Sequence, residues 1–157
     1  LFTLTTSKGK HISKAILIAM GGGAFKPRPL ELENVDQFEN IHYHVSNINQ
    51  YAGQNIVVLG GGDSAVEEAI YLTKFARKVT IIHRRDALRA AKSIQEKAFA
   101  NDKIKFMWDS VVEEVSGDEI LTKMLVKNVK TGENTERYSL SYIIRLILTA
   151  YRSWMST

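Results

Sequence analysis

The stretch Gly60-Gly61-Gly62-Asp63-Ser64-Ala65 constrains this chain more than any other, because of what stands on either side of it. Before it, Ile56-Val57-Val58-Leu59 is a short β-branched run that reads as a strand. After it, Val66, Ala69, Ile70 and Thr73 recur at helical spacing within Asp63 to Ala76, and a second strand, Val79-Thr80-Ile81-Ile82, follows at once. Strand, glycine turn, helix and strand together occupy about thirty residues or fewer, the size of a minimal βαβ unit, so the two strands are predicted to pair in parallel.

Gly60, Gly62 and Ala65 fit the pattern G-x-G-x-x-A, in which each position has a steric role. Gly60 permits a tight turn, Gly62 lets the backbone approach a pyrophosphate, and Ala65 lets the helix pack close to the strand. With Gly61, Asp63 and Ser64 they form a helix tip whose free N–H groups and positive dipole end suit phosphate. Glycine turns also join strands to helices for structural reasons alone. Here the order strand, turn, helix and strand favours a bound dinucleotide.

The end of the second strand predicts which dinucleotide. A site for NAD has Asp or Glu about 20 residues past the glycines, where it accepts from the ribose hydroxyls. Here the comparable place reads His83-Arg84-Arg85-Asp86-Ala87-Leu88-Arg89. Guanidinium forks suit phosphate oxygens, so Arg84 and Arg85, with Arg89 one helical turn onward, predict a clamp for a 2′-phosphate and hence NADPH. The competing reading is a solvated basic face. His83 has two readings, a contact to adenine or phosphate and a satisfied structural residue. Glu67 and Glu68 lie on the first turns of the glycine helix, where carboxylates favour the dipole in any protein. His42 and His44 share a strand-like segment with no third ligand nearby, so no metal is expected. No catalytic residue is assigned to this chain.

The remaining pattern supplies the frame. Leu1 to Thr5 alternates, turns at Ser7-Lys8-Gly9, and resumes at Ile12, predicting a hairpin that feeds a buried strand at Ala15 to Ala19. Gly21 to Pro29 holds both prolines and three glycines and reads as a linker, followed by a loop-like acidic stretch from Glu31 to Asn40. Leu88 to Ala100 is predicted helical and Ile104 to Trp108 a third strand. Val111 to Val115, Leu121 to Val129 and Thr135 to Tyr138 predict an antiparallel meander. The expected fold is α/β, a Rossmann-like central parallel sheet with flanking helices and an antiparallel β-meander. The expected divisions are residues 1–40 as strands and a crossover linker, 41–138 as a nucleotide-binding domain, and 139–157 as an atypical tail.

Composition removes several functions. The absence of cysteine excludes disulfides, thiolate metal sites and cysteine redox pairs in this polypeptide. A formal charge of +4 is a mild excess, so no nucleic acid is implied. The apolar stretch Ile143 to Ala150 is interrupted by Arg145 and falls short of the ~20 residues a membrane helix needs. Leu1 to Lys10 carries no secretory pattern, which makes a cytoplasmic location the default.

Val58-Leu59-Gly60-Gly61-Gly62-Asp63-Ser64-Ala65-Val66-Glu67-Glu68 and Val79-Thr80-Ile81-Ile82-His83-Arg84-Arg85-Asp86-Ala87-Leu88-Arg89 resemble the NADPH-domain motifs of the pyridine-nucleotide-disulfide oxidoreductase superfamily. The resembling branch is that of bacterial thioredoxin reductases and thioredoxin-reductase-like ferredoxin–NADP reductases. Asn101-Asp102-Lys103-Ile104 and Val126 to Glu133 continue the likeness, and Ala15 to Pro29 resembles the strand and crossover leaving the FAD domain, with Met20 where threonine is usual. The redox pair that thioredoxin reductases carry before the glycine strand corresponds to Tyr43-His44-Val45-Ser46, without either cysteine. FAD fingerprints are missing at both ends, so the chain reads as a middle portion. The resemblance implies the NADPH-binding portion of a flavoprotein reductase that positions NADPH for hydride transfer to FAD in the parent enzyme, with a redox partner protein and a homodimer left open. Two alternatives stand beside it: a thioredoxin-disulfide reductase relative without its cysteines, and a non-catalytic NADPH-sensing or interaction module.

Overall fold

The structure, a computed structural model, describes residues 1–17, 26–27, 30–45, 47–144 and 148–149. It divides into two units, whose described residues lie within 1–26 and within 27–149. In the first, β1 (Phe2–Thr6) and β2 (Gly9–Ser13) pair antiparallel from Phe2↔Ser13 to Thr6↔Gly9, as the alternation predicts. Its apolar residues Leu1, Phe2, Leu4 and Ile12 are exposed. The buried strand expected at Ala15 to Ala19 does not form over its first part: Ala15, Ile16 and Leu17 are exposed and outside any strand, while Ile18 and Ala19 lie outside the described residues. An apolar run becomes a buried strand only where another surface covers it.

The second unit contains the parallel sheet. Its elements are β3 (Lys26–Pro27, at the junction of the two units), β4 (Ile41–His42), β5 (Asn55–Leu59), α1 (Asp63–Leu72), β6 (Lys78–Ile82), α2 (Lys92–Phe99), β7 (Ile104–Met107), β8 (Ser110–Gly117), β9 (Leu121–Asn128), β10 (Asn134–Ser139), β11 (Tyr142–Ile144) and β12 (Leu148–Thr149). The order across the five-stranded sheet is β4-β11-β5-β6-β7, with every pair parallel. β8, β9 and β10 form the antiparallel meander that the sequence predicts.

The sheet is covered on both faces, as a parallel sheet requires. Ile56, Val58, Val79, Ile81, Ile104 and Ile144 pack with Ala65, Val66, Ala69 and Leu72 of α1 and Ala98 of α2. Val57, Leu59, Ile82 and Ile143 face the other way, against Leu121, Met124 and Val126 of β9 and Leu30, Val35 and Phe38. Each such side chain contributes about 1.5–3 kcal/mol relative to exposure. The C-terminal end of α1 is held by Lys103 Nζ, which donates to the carbonyls of Thr73 (2.8 Å) and Ala76 (3.2 Å), placing a cation where the helix dipole is negative.

Two sequence expectations are corrected here. Residues 142–144 are not part of a tail: Ile143 and Ile144 are fully buried, and the strand lies between β4 and β5, paired Ile143↔Ile41 and Ile143↔Val57. Sheet and core material therefore extends past both 41 and 138, since Leu30, Val35 and Phe38 belong to the same apolar cluster. The helix predicted from Leu88 begins only at Lys92. Leu88 and Ala90 are buried in an irregular loop that passes over the glycine turn.

Candidate functional site

Leu59, Ile82 and Met107 are register partners at the C-terminal ends of three neighbouring parallel strands. The segments leaving these ends, Gly60–Gly62, His83–Ala91 and Trp108–Ser110, therefore emerge side by side, at the edge where open α/β sheets bind ligands. The ladder continues past the strands: Gly60 N donates to Ile82 O (3.0 Å), His83 N to Met107 O (2.9 Å) and Ser110 N to His83 O (3.0 Å). Here a cleft of about 720 Å³ opens. It is lined by Gly60, Gly61, Gly62, Asp63, Ser64 and Ala65, by His83, Arg84 and Arg89, and by Leu30, Leu32, Val111 and Val112.

The three glycines differ in what they permit. Gly60 has φ +133°, a conformation that disfavours a side chain, and a Cβ there would sit 3.2 Å from Ala65 Cβ. A Cβ on Gly61 would fall 2.7 Å from Cγ, Cδ2 and Nδ1 of His83, so this glycine makes room for the imidazole ring. A Cβ on Gly62 would meet nothing within 4 Å. Gly62 is the N-cap of α1, with no side-chain cap, and its carbonyl accepts from Val66 N at 3.1 Å. The N–H groups of Asp63, Ser64 and Ala65 thus begin a helix with no partner inside it, next to open space. That combination fits a diphosphate.

The arginine loop is tied to this turn. Arg89 N donates to Gly61 O at 2.6 Å, and Asp63 Oδ1 accepts from Ala91 N at 2.8 Å. Gln95 Nε2 holds the Ala90 carbonyl at 2.6 Å, and Leu88 and Ala90 anchor the loop in the core. Arg84, Arg85 and Arg89 are exposed, and no ion pair among the described residues engages any of them. Arg84 and Arg89 line the cleft; Arg85, next to Arg84 in the chain, does not. All three press on His83, whose pKa is lowered first by burial and then by the charges of Arg85, Arg84 and Arg89, against a smaller opposing hydrogen bond to the Ala87 backbone. The ring is therefore neutral at pH 7, and its Nε2 is buried with no hydrogen-bond partner among the described residues.

The sequence reading missed one role of Asp63, which it placed at the helix tip, and one residue, Lys130. Asp63 acts on the arginine loop through Ala91, a link between residues far apart in the chain. Lys130, in the turn between β9 and β10, pairs with Asp86 Oδ2 (2.9 Å) and Asp109 Oδ1 (3.1 Å). Neither has a local signal. Glu68 is half-buried, and burial raises its pKa. His42 is engaged by Tyr51 Oη (2.5 Å) and the Glu39 carbonyl (3.0 Å), and among the described residues no group of acidic and histidine side chains gathers to hold a metal. Of the stretch Tyr43 to Ser46, Ser46 lies outside the described residues; the Tyr43 hydroxyl accepts from Leu30 N at 3.0 Å. No helix among the described residues is long and apolar enough to cross a membrane.

Comparison with known proteins agrees with this geometry. The ferredoxin–NADP reductase of Streptococcus pneumoniae strain D39 is 49% identical over 144 residues, which cover 90% of this chain and 44% of that protein. The Streptococcus suis protein of the same name is 61% identical over 95 residues, 60% of this chain and 30% of its own length. The thioredoxin reductase structure from Lactococcus lactis superposes with a TM-score of 0.75 at 42% identity, covering 92% of this chain and 48% of that one. The chain thus spans less than half the length of these relatives. The sequence profile of the pyridine nucleotide-disulphide oxidoreductases matches residues 2–150, and the chain belongs to that family.

Proposed function

We propose that this chain binds NADPH and, within a flavoprotein reductase of the ferredoxin–NADP reductase kind, holds it for hydride transfer to FAD. In such an enzyme the nicotinamide supplies the hydride and the flavin accepts it. The chain's own residues bind and orient. The N–H groups of Asp63, Ser64 and Ala65 receive the diphosphate beside Gly62, where a Cβ would find open space. Arg84 and Arg89 from the cleft wall, with Arg85 beside them, receive the 2′-phosphate, and His83 packs over Gly61 as a neutral wall between the two groups.

The observation that carries this reading is the set of three guanidinium groups without a carboxylate partner among the described residues, tethered to a helix tip with uncapped N–H groups. A buried charge pair would satisfy arginines; these await an anion. Of the two alternatives, a thioredoxin-disulfide reductase relative without its redox cysteines is disfavoured, because this chain has no thiol to reduce a disulfide by that route. A redox partner protein, for which the names of the relatives above speak, and a cytoplasmic location are part of the proposal.

Calorimetric titration of the purified chain with NADPH and NADH tests it. NADPH is expected to bind at least about tenfold more tightly, the contribution of one or more charge-assisted hydrogen bonds. Equal affinity for the two nucleotides, or binding of neither, overturns the proposal.

A further inference from the structure

Between Arg84 and Arg89 the sequence places one carboxylate, Asp86, next in line after two arginines. An arginine–carboxylate pair is the arrangement a guanidinium forms most readily, and it uses the same planar fork that a phosphate would. Asp86 nonetheless pairs with none of the three arginines. Its Oδ2 lies 2.9 Å from Lys130 Nζ, 44 residues away in the chain.

The delivery of Lys130 is built into the fold. Asn128 Oδ1 accepts from the backbone N–H groups of Lys130 (2.9 Å) and Thr131 (3.0 Å), which shapes the turn that presents the lysine. Lys130 also contacts Asp109 Oδ1 at 3.1 Å. Asp109 has φ +50°, its N–H donates to the Arg85 carbonyl (3.2 Å), and its own carbonyl accepts from Val129 N (2.6 Å). Lys130 therefore stands between two carboxylates, that of Asp86 beside the arginines and that of Asp109, whose backbone N–H holds the Arg85 carbonyl. The Asp86 carboxyl is held below its ordinary range by Lys130, and no arginine contributes to that pull.

We infer that Lys130 is a positioning residue for nucleotide selection: by engaging Asp86 it withholds the internal carboxylate from Arg84, Arg85 and Arg89 and keeps all three open to a 2′-phosphate. This rests on the NADPH reading above. Without the lysine, Asp86 is free to turn back and occupy an arginine as an internal anion, or to accept from the ribose hydroxyls of NADH as the carboxylate of an NAD site does.

The test is a double-mutant cycle on the purified chain, with NADPH and NADH affinities measured for wild type, Lys130→Met, Asp86→Asn and the pair. Lys130→Met is expected to weaken NADPH by about fivefold and NADH by less than about twofold, at an unchanged thermal midpoint. Adding Asp86→Asn to Lys130→Met is expected to restore NADPH affinity to within about twofold of wild type, whereas Asp86→Asn alone changes it little. Lys130→Arg keeps the pairing and the affinity. An unchanged NADPH/NADH ratio in Lys130→Met overturns the inference. So does an equal gain from Asp86→Asn in both backgrounds, which marks Lys130 as one more positive charge in the general field. If wild type binds no NADPH, the proposed function falls and this inference with it; if wild type binds NADPH normally and the cycle is flat, only this inference falls.

Discussion

The two sides of the cleft are built in different ways. The glycine turn is set by backbone sterics: a positive φ at Gly60, a ring laid over Gly61, open space at Gly62. The arginine loop has no regular structure from His83 to Ala91 and is set by tethers, namely Arg89 N to Gly61 O, Ala91 N to Asp63, Gln95 to Ala90, and Lys130 to Asp86. A steric site tolerates no added atom, whereas a tethered one tolerates the loss of a single bond at modest cost. On the proposed reading, diphosphate recognition lies on the rigid side, and discrimination between nucleotides on the adjustable one.

Adding one methyl group to the steric side breaks the contrast most severely. Gly61→Ala puts a Cβ 2.7 Å from three His83 ring atoms, and both residues are buried. It is expected to cost about 1–3 kcal/mol in urea unfolding, the usual range for overpacking. Gly62→Ala separates fold from binding. With open space and φ −91°, the protein is expected to keep its stability to within about 0.5 kcal/mol. NADPH and NADH are both expected to weaken on the order of tenfold, since the new methyl group occupies the space of the shared diphosphate. A stable Gly62→Ala variant with full affinity would show that the diphosphate does not lie there.

The smallest expected effect is on pH. The pKa of His83 is lower in the folded protein than its ordinary 6.5, so folding favours the neutral ring. The unfolded chain then takes up a proton first as pH falls, and stability declines below about pH 6.5 and onward toward the folded pKa. His42, also lowered by burial, acts in the same direction. Denaturation midpoints between about pH 7.5 and about pH 5.5 are expected to fall, with a shallower slope in His83→Asn. An identical slope in that variant would show that His83 titrates normally.

How much of this was legible in the sequence follows the same division. β5, α1 and β6 declare themselves because their periods are local and unbroken. The meander does too, through alternation and turn residues. β11 does not: it is three residues long, buried on both faces, and so shows no alternation. Its partners Ile41 and Val57 are more than about eighty residues earlier, and only the closed sheet reveals that 142–144 fit between them. In the site, the types of residue at Gly60–Ala65 and His83–Arg89 were readable, as was their nearness to one another. The assignment of Gly61 to His83 packing, the tether from Asp63 and the lysine at Asp86 depend on contacts across 22 to 44 positions, for which no spacing rule exists. The helix predicted from Leu88 shows the same limit. Leu88, Ala91, Ile94 and Ala98 recur at helical spacing, yet Leu88 is buried, with Ala90, as an anchor of a loop bent toward the glycine turn.

The central claim is that guanidinium groups at the end of β6 select the phosphorylated nucleotide. Replacing Arg84 and Arg85 together by alanine, and measuring NADPH and NADH affinity at low and at physiological salt, tests it most directly. The account predicts that NADPH binding weakens by about tenfold to a hundredfold while NADH binding and the thermal midpoint stay nearly constant, because both side chains are exposed and engage no carboxylate among the described residues. An unaltered preference for NADPH in the double variant would contradict it.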